Sequence, residues 1–95
     1  MTTLHIEHAI SDLSLWREAF SRFAAARRDA GVQAERVTQP LDDPHYVVID
    51  LDFTFAPAAE AFLRFLRAQV WSSPQASPAL AGEVRALVLE PAAGM

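Results

Sequence analysis

The stretch HYVVIDLDF, His45 to Phe53, decides the fold. From Tyr46 on it alternates without interruption. Val47, Ile49, Leu51 and Phe53 fall on one face, and Tyr46, Val48, Asp50 and Asp52 on the other. A period of two sustained over this length is a β-strand. One face is wholly apolar and must be covered by other elements, while the second face is mixed.

Upstream, the turn residues of Pro40 to Pro44, PLDDP, reverse the chain through Pro rigidity and Asp side chains. They follow a strand predicted from Val32 to Gln39. Gly31 supplies the left-handed residue that ends a helix. That helix starts at Asp12, a good N-cap. Its buried stripe is Leu13, Trp16, Phe20, Phe23 and Ala24, with Glu18 and Arg22 paired on the solvent side. Residues 3–9 read as the first strand, with Leu4, Ile6 and His8 on one face and Thr3, His5 and Glu7 on the other.

Downstream, Thr54 is expected to cap a second helix, and Pro57 falls in its first turn, where a missing N–H is tolerated. Phe55, Ala59, Phe62, Phe65, Leu66 and Val70 form its predicted buried stripe. The SSPQASP segment, Ser72 to Pro78, breaks the helix. A short turn over Ala79–Gly82 leads to a last strand, Glu83 to Glu90. Pro91 stops it, and Ala92 to Met95 are expected to fray.

The resulting order, βαββαβ in one domain over residues 1–95, is that of the ferredoxin-like α+β fold. It predicts a four-stranded antiparallel sheet of order 4-1-3-2 with both helices on one face. The covered face takes Leu4, Ile6, Val47, Ile49 and Leu51. The opposite face takes Tyr46, Val48, Val37, Leu87 and Leu89 among His5, Glu7, Asp50 and Arg85. A solvated sheet face is cleaner in its polarity than this. The mixture predicts a homodimer in which two such faces meet as an isologous pair.

Composition narrows the chemistry. Hydrophobic residues make up 52% of the chain, more than so small a core needs, which again points to self-association. A formal net charge of −4, with the eight basic residues all Arg and scattered, argues against nucleic acid as a partner. The absence of Cys removes disulfides, thiolate metal sites and thiol nucleophiles. No apolar run is long enough to span a bilayer, and no signal peptide is recognisable. A cytoplasmic protein is expected.

These residues resemble the dimeric α/β-barrel superfamily, which includes antibiotic-biosynthesis-type monooxygenases, haem-degrading monooxygenases and many small uncharacterised bacterial proteins. The likeness is carried by His8, Asp12, Trp16 and Phe20, then Arg28-x-x-Gly31, the Asp42-Asp43-Pro44-His45 turn and the Phe-rich second helix. It implies a dimer with a cavity in each protomer between helices and sheet. The haem-degrading members use a His on the second helix with a partner Asn. Here that helix has no His and the chain has no Asn, so haem ligation of that kind is not expected. The cofactor-free, quinone-forming members are also associated with Asn, alongside Trp and Tyr, and of these only Trp71 and Tyr46 have counterparts here.

His5 and His8 are three apart on a strand and therefore point to opposite faces, so they do not chelate one ion. His8, His45 and Asp12 come near one sheet end, but a polar rim explains them better than a metal site, and no metal is assigned. Asp50 and Asp52 share a strand face and mark a solvated or dimer-facing edge. No Ser lies in a nucleophile elbow. His8 ends an apolar row and is the candidate catalytic base, suited to a phenol or enol. Trp16, Phe20, His45, Phe62 and Trp71 are the candidate ligand-binding residues. Three functions follow: a binder of small hydrophobic or aromatic ligands, a cofactor-independent monooxygenase, or a structural or regulatory dimer. No cofactor is expected in any of them.

Overall fold

In the computed structural model, which describes residues 1–93, the chain order is β1 (Thr2–Ile10), α1 (Leu13–Arg22), α2 (Ala24–Ala30), β2 (Val32–Thr38), β3 (Tyr46–Phe53), α3 (Ala56–Phe65) and β4 (Leu80–Leu89). A π-helical turn, Leu66–Val70, continues α3. The sheet order is β2-β3-β1-β4, which is the expected 4-1-3-2 read from the other end, and every pairing is antiparallel. The fold is ferredoxin-like. The fraying expected at the tail concerns in part Gly94 and Met95, which lie outside the described residues.

The two central strands hold the core. Along β1 the buried residues are Thr2, Leu4, Ile6, His8 and Ile10, and along β3 Val47, Ile49, Leu51 and Phe53. Opposite partners such as Leu4–Leu51 and Ile6–Ile49 share the helix-covered face. Trp16, Ala59, Phe62, Leu66 and Val70 press onto it from the helices. Burying one such large side chain contributes roughly 1.5–3 kcal/mol, which is why the alternation dictates the layering.

Six expectations change in detail. The first helix is broken at Phe23, whose φ of −99° and ψ of 15° leave the helical range. Ala24 is exposed as a result, and Arg27 takes the buried position one turn on. Gly31 ends α2 with a φ of 99°, as its position predicts.

The second helix is not capped by Thr54. Phe55 occupies the N-cap without a side-chain cap bond, and Pro57, lacking an N–H, stands in the first turn where a capping oxygen needs a donor. Phe55 thus leaves the stripe and is 69% exposed. The last strand begins at Leu80, earlier than Glu83. It bulges opposite His8, where the register runs from Glu7–Arg85 to Ala9–Ala81, and Gly82 at φ 71° makes this turn of the backbone. Finally, Val37 lies opposite Ile49 on the helix side and not on the open face. A bulge between Val32 and Ala34 inserts one residue, and a one-residue slip reverses every side chain after it.

Candidate functional site

The helices do not close completely on the sheet. Between them lies a cavity of about 70 Å³, floored by Ile6, His8, Ile49 and Leu51 of the central strands. Trp16, Phe20, Phe23 and Arg27 form the wall on the α1–α2 side, and Phe62, Leu66, Val70 and Trp71 the opposite wall. Ala76, Ser77, Ala79 and Leu80 close the end. Five of the six residues expected at the site, His8, Trp16, Phe20, Phe62 and Trp71, thus border one space. His45 does not. It sits exposed before β3, where its carbonyl accepts from Ile10 N–H at 2.8 Å and its own N–H donates to Asp43 Oδ1 at 2.9 Å.

Local structure explains each placement. Asp12 accepts from Leu15 N–H at 2.8 Å and starts α1 so that Trp16 faces the sheet. Trp16 stacks on Phe20 with centroids 4.7 Å apart, and the Arg27 guanidinium lies 3.7 Å from the Phe20 ring centroid. Phe20 thus touches both an indole and a guanidinium. Across the cavity, Trp71 N–H donates to Leu66 C=O at 2.7 Å, an i to i+5 bond. This wider turn carries both Val70 and Trp71 onto the cavity side, and single π-turns of this kind are frequent at functional sites.

His8 is 4% exposed, and burial pushes its pKa below the ordinary 6.5, opposed only by its bond to Ala9 C=O. The imidazole is therefore neutral at pH 7. The ring Nδ1 meets the Ala9 carbonyl at 2.9 Å. A carbonyl only accepts, so Nδ1 carries the proton and Nε2 holds a lone pair. No buried side-chain nitrogen or oxygen among the described residues is sealed off without a partner, so Nε2 is accessible, and His8 borders the cavity. Chemically this is a neutral base at the floor of an apolar slot.

Arg27 escaped the reading of the sequence, which drew attention to Arg28 instead. Arg28 is exposed and pairs with Asp29 at 3.6 Å. Arg27 is 6% exposed, with Nε on Glu35 Oε2 at 2.7 Å and Nη1 on the Phe20 carbonyl at 2.6 Å. A signal was present, because Phe20, Phe23 and Arg27 follow one another at steps of three and four on one helical stripe. Ser77 also borders the cavity, but its hydroxyl is engaged by the Val70 carbonyl at 2.7 Å.

The other sheet face carries a second polar cluster. His5 lies between Glu7 and Asp50, each 2.7 Å away, and Tyr46 donates to Glu7 at 2.9 Å. Glu7 foremost raises the His5 pKa above 6.5; burial opposes it, and Asp50 adds to the rise. Arg36 forms a two-pronged pair with Asp52 at 2.9 and 3.2 Å, which holds that carboxyl below the usual range. Leu87 and Leu89 lie beside these groups, 41% and 42% exposed.

No family model matches the chain, and no curated protein matches it. Solved structures do. A protein of Nitrosomonas europaea, described as an antibiotic biosynthesis monooxygenase, is similar over 96% of this chain and 98% of its own at 15% identity, with a TM-score of 0.69. SnoaB, a cofactor-independent oxygenase from Streptomyces nogalater, is similar over 99% and 97% at 18% identity and a TM-score of 0.63. A dimeric ferredoxin-like protein from an uncultured marine organism is similar over 93% and 92% at 13% identity and a TM-score of 0.59. The chain therefore has the ferredoxin-like fold shared by proteins described as antibiotic biosynthesis monooxygenases.

Proposed function

We propose that this protein binds a small, flat, hydrophobic or aromatic molecule between its helices and its sheet. The observation that carries this reading is an apolar cavity whose floor holds one neutral imidazole with an open Nε2. Such a site orients a ring by its walls and accepts one hydroxyl proton at its base. The cavity is smaller than the roughly 150 Å³ that holds a benzene ring, so a ligand enters by displacing a wall. Half-buried Trp71 and the Ser72–Pro78 segment after it are the wall that moves.

Both tryptophans of the chain border the cavity, so Trp fluorescence reports on it directly. Anthrone is expected to quench it in a saturable way. A linear response with no saturation would remove the binding reading and leave a purely structural or regulatory dimer.

A second reading is cofactor-independent oxygenation, favoured by the open His8 Nε2 and by the likeness to SnoaB. A buried neutral base that removes a phenolic or enolic proton yields a carbanion-like anion that reacts with oxygen directly. Oxygen uptake with anthrone is then faster for the wild type than for His8→Ala. Equal rates at background level would discard the enzyme and keep the binder.

We further propose that the protein is a homodimer joined through the open sheet faces. The support is the exposed Leu87 and Leu89 set among paired charges, together with the dimeric protein of the same fold. Sedimentation at micromolar concentration tests it, and a mass near 10.5 kDa contradicts it.

A further inference from the structure

We infer that Arg27 is a specificity-determining residue of the cavity: its Nη2 donates to a neutral acceptor oxygen of the ligand, and Glu35 makes the site reject carboxylates. This rests on the ligand-binding reading above. A guanidinium has five N–H groups in a planar fork. In Arg27, Nε is engaged by Glu35 and Nη1 by the Phe20 carbonyl, and Nη2 makes no hydrogen bond among the described residues. Arg27 is 6% exposed, yet no sealed-off polar atom among the described residues lacks a partner. Nη2 is therefore not sealed inside the protein, and Arg27 is among the residues that border the cavity.

The arginine is also rigidly held. Its guanidinium carbon lies 3.7 Å from the centroid of the Phe20 ring, on which Trp16 also stacks. With both fixed bonds tying α2 to β2 and to the end of α1, the third nitrogen is a preorganised donor rather than a side chain in search of a partner. Its charge is already matched by Glu35 at 2.7 Å. An anionic ligand would therefore find the guanidinium charge already countered and gain little to offset its own desolvation, whereas a carbonyl oxygen needs only the N–H. Besides the indole N–H groups of Trp16 and Trp71, the walls thus offer the Arg27 Nη2 donor and the His8 Nε2 acceptor, with the Ser77 O–H engaged elsewhere.

The experiment compares three probes by Trp fluorescence: tetralin, 1-tetralone and 1-naphthoate. Wild type is expected to bind the ketone about tenfold more tightly than the hydrocarbon, and the carboxylate no more tightly than the hydrocarbon. In Arg27→Met the ketone preference falls to about one while tetralin affinity persists, which a merely structural role would not produce. Glu35→Gln, at a side chain 42% exposed, leaves the donor in place and shifts preference to the carboxylate by about tenfold. Wild type that binds ketone and hydrocarbon alike, or prefers the carboxylate, overturns the inference while the binding reading stands. If tetralin itself fails to bind, both fall. The wild-type comparison decides even where Arg27→Met does not fold.

Discussion

His5 and His8 stand three residues apart on β1 and have opposite surroundings. His8 faces the helices, where burial holds it neutral against the Ala9 carbonyl. His5 faces outward between two carboxylates, which favour its charged form. The same residue type on the same strand is thus held toward its neutral form on one side and toward its charged form on the other. A sheet has two faces, and in this protein they are two environments: an apolar layer with one cavity, and a lattice of paired charges with exposed leucines.

The largest effect that sharpens this contrast comes from the covered face. Phe53→Ala, at a residue with no exposure, should cost about 3–5 kcal/mol in chemical denaturation, whereas Leu87→Ala on the open face should change the fold of the protomer by under about 0.5 kcal/mol. Comparable losses at the two sites would mean that the open face is as deeply involved in protomer folding as the core.

Association is the next test. Leu87→Asp with Leu89→Asp should keep the protomer folded and bring the sedimenting mass down to about 10.5 kDa, because a carboxylate there is left without a partner in the joined faces. An unchanged mass of twice that value would place the dimer contact elsewhere.

The two histidines make opposite contributions with pH. His8 has a folded-state pKa below 6.5, so the unfolded chain binds more protons in the interval between the two values. Its effect is full stability above pH 6.5 and a loss as pH falls toward the folded value. His5 has a folded-state pKa above 6.5. Its contribution is complete below pH 6.5 and is lost as pH rises through the folded value. Imidazole proton shifts followed by NMR should give a His8 midpoint below 6.5 and a His5 midpoint above it. The reverse order would break the comparison.

The smallest effect concerns how the cavity wall is set. Asp12→Ala removes the N-cap bond to Leu15 and should lower stability by about 1 kcal/mol without altering which face Trp16 presents. Thermal unfolding measures it, and a loss several times larger would give Asp12 a role beyond capping.

The layering was legible in the alternation of β1 and β3, because a period of two leaves no other way to bury Leu4, Ile6, Val47 and Ile49 together. The aromatic walls were legible for the same reason, since Trp16, Phe20 and Phe62 fall on helical stripes. Three features were not. The bulge after Val32 turned Val37 to the helix side, and nothing in its local sequence specifies an inserted residue. Pro57 displaced the cap from Thr54 and left Phe55 in solvent. Arg27 was overlooked because a charged side chain is rarely buried unless a partner is brought to it, and Glu35 arrives only when β2 folds against α2.

By itself, then, the sequence determined the order of elements, the sheet topology and the side of β1 on which each histidine lies. Those depend on local periodicity and on short-range turn chemistry, which neighbouring residues specify. Only the tertiary structure decided which groups remain open. His8 Nε2 and Arg27 Nη2 make no hydrogen bond among the described residues, while their sister nitrogens are engaged by Ala9, Glu35 and Phe20. His45 was removed from the cavity because its backbone, not its ring, is what the end of β1 uses. Whether a polar group is satisfied depends on every element packed around it, and no stretch of chain carries that information alone.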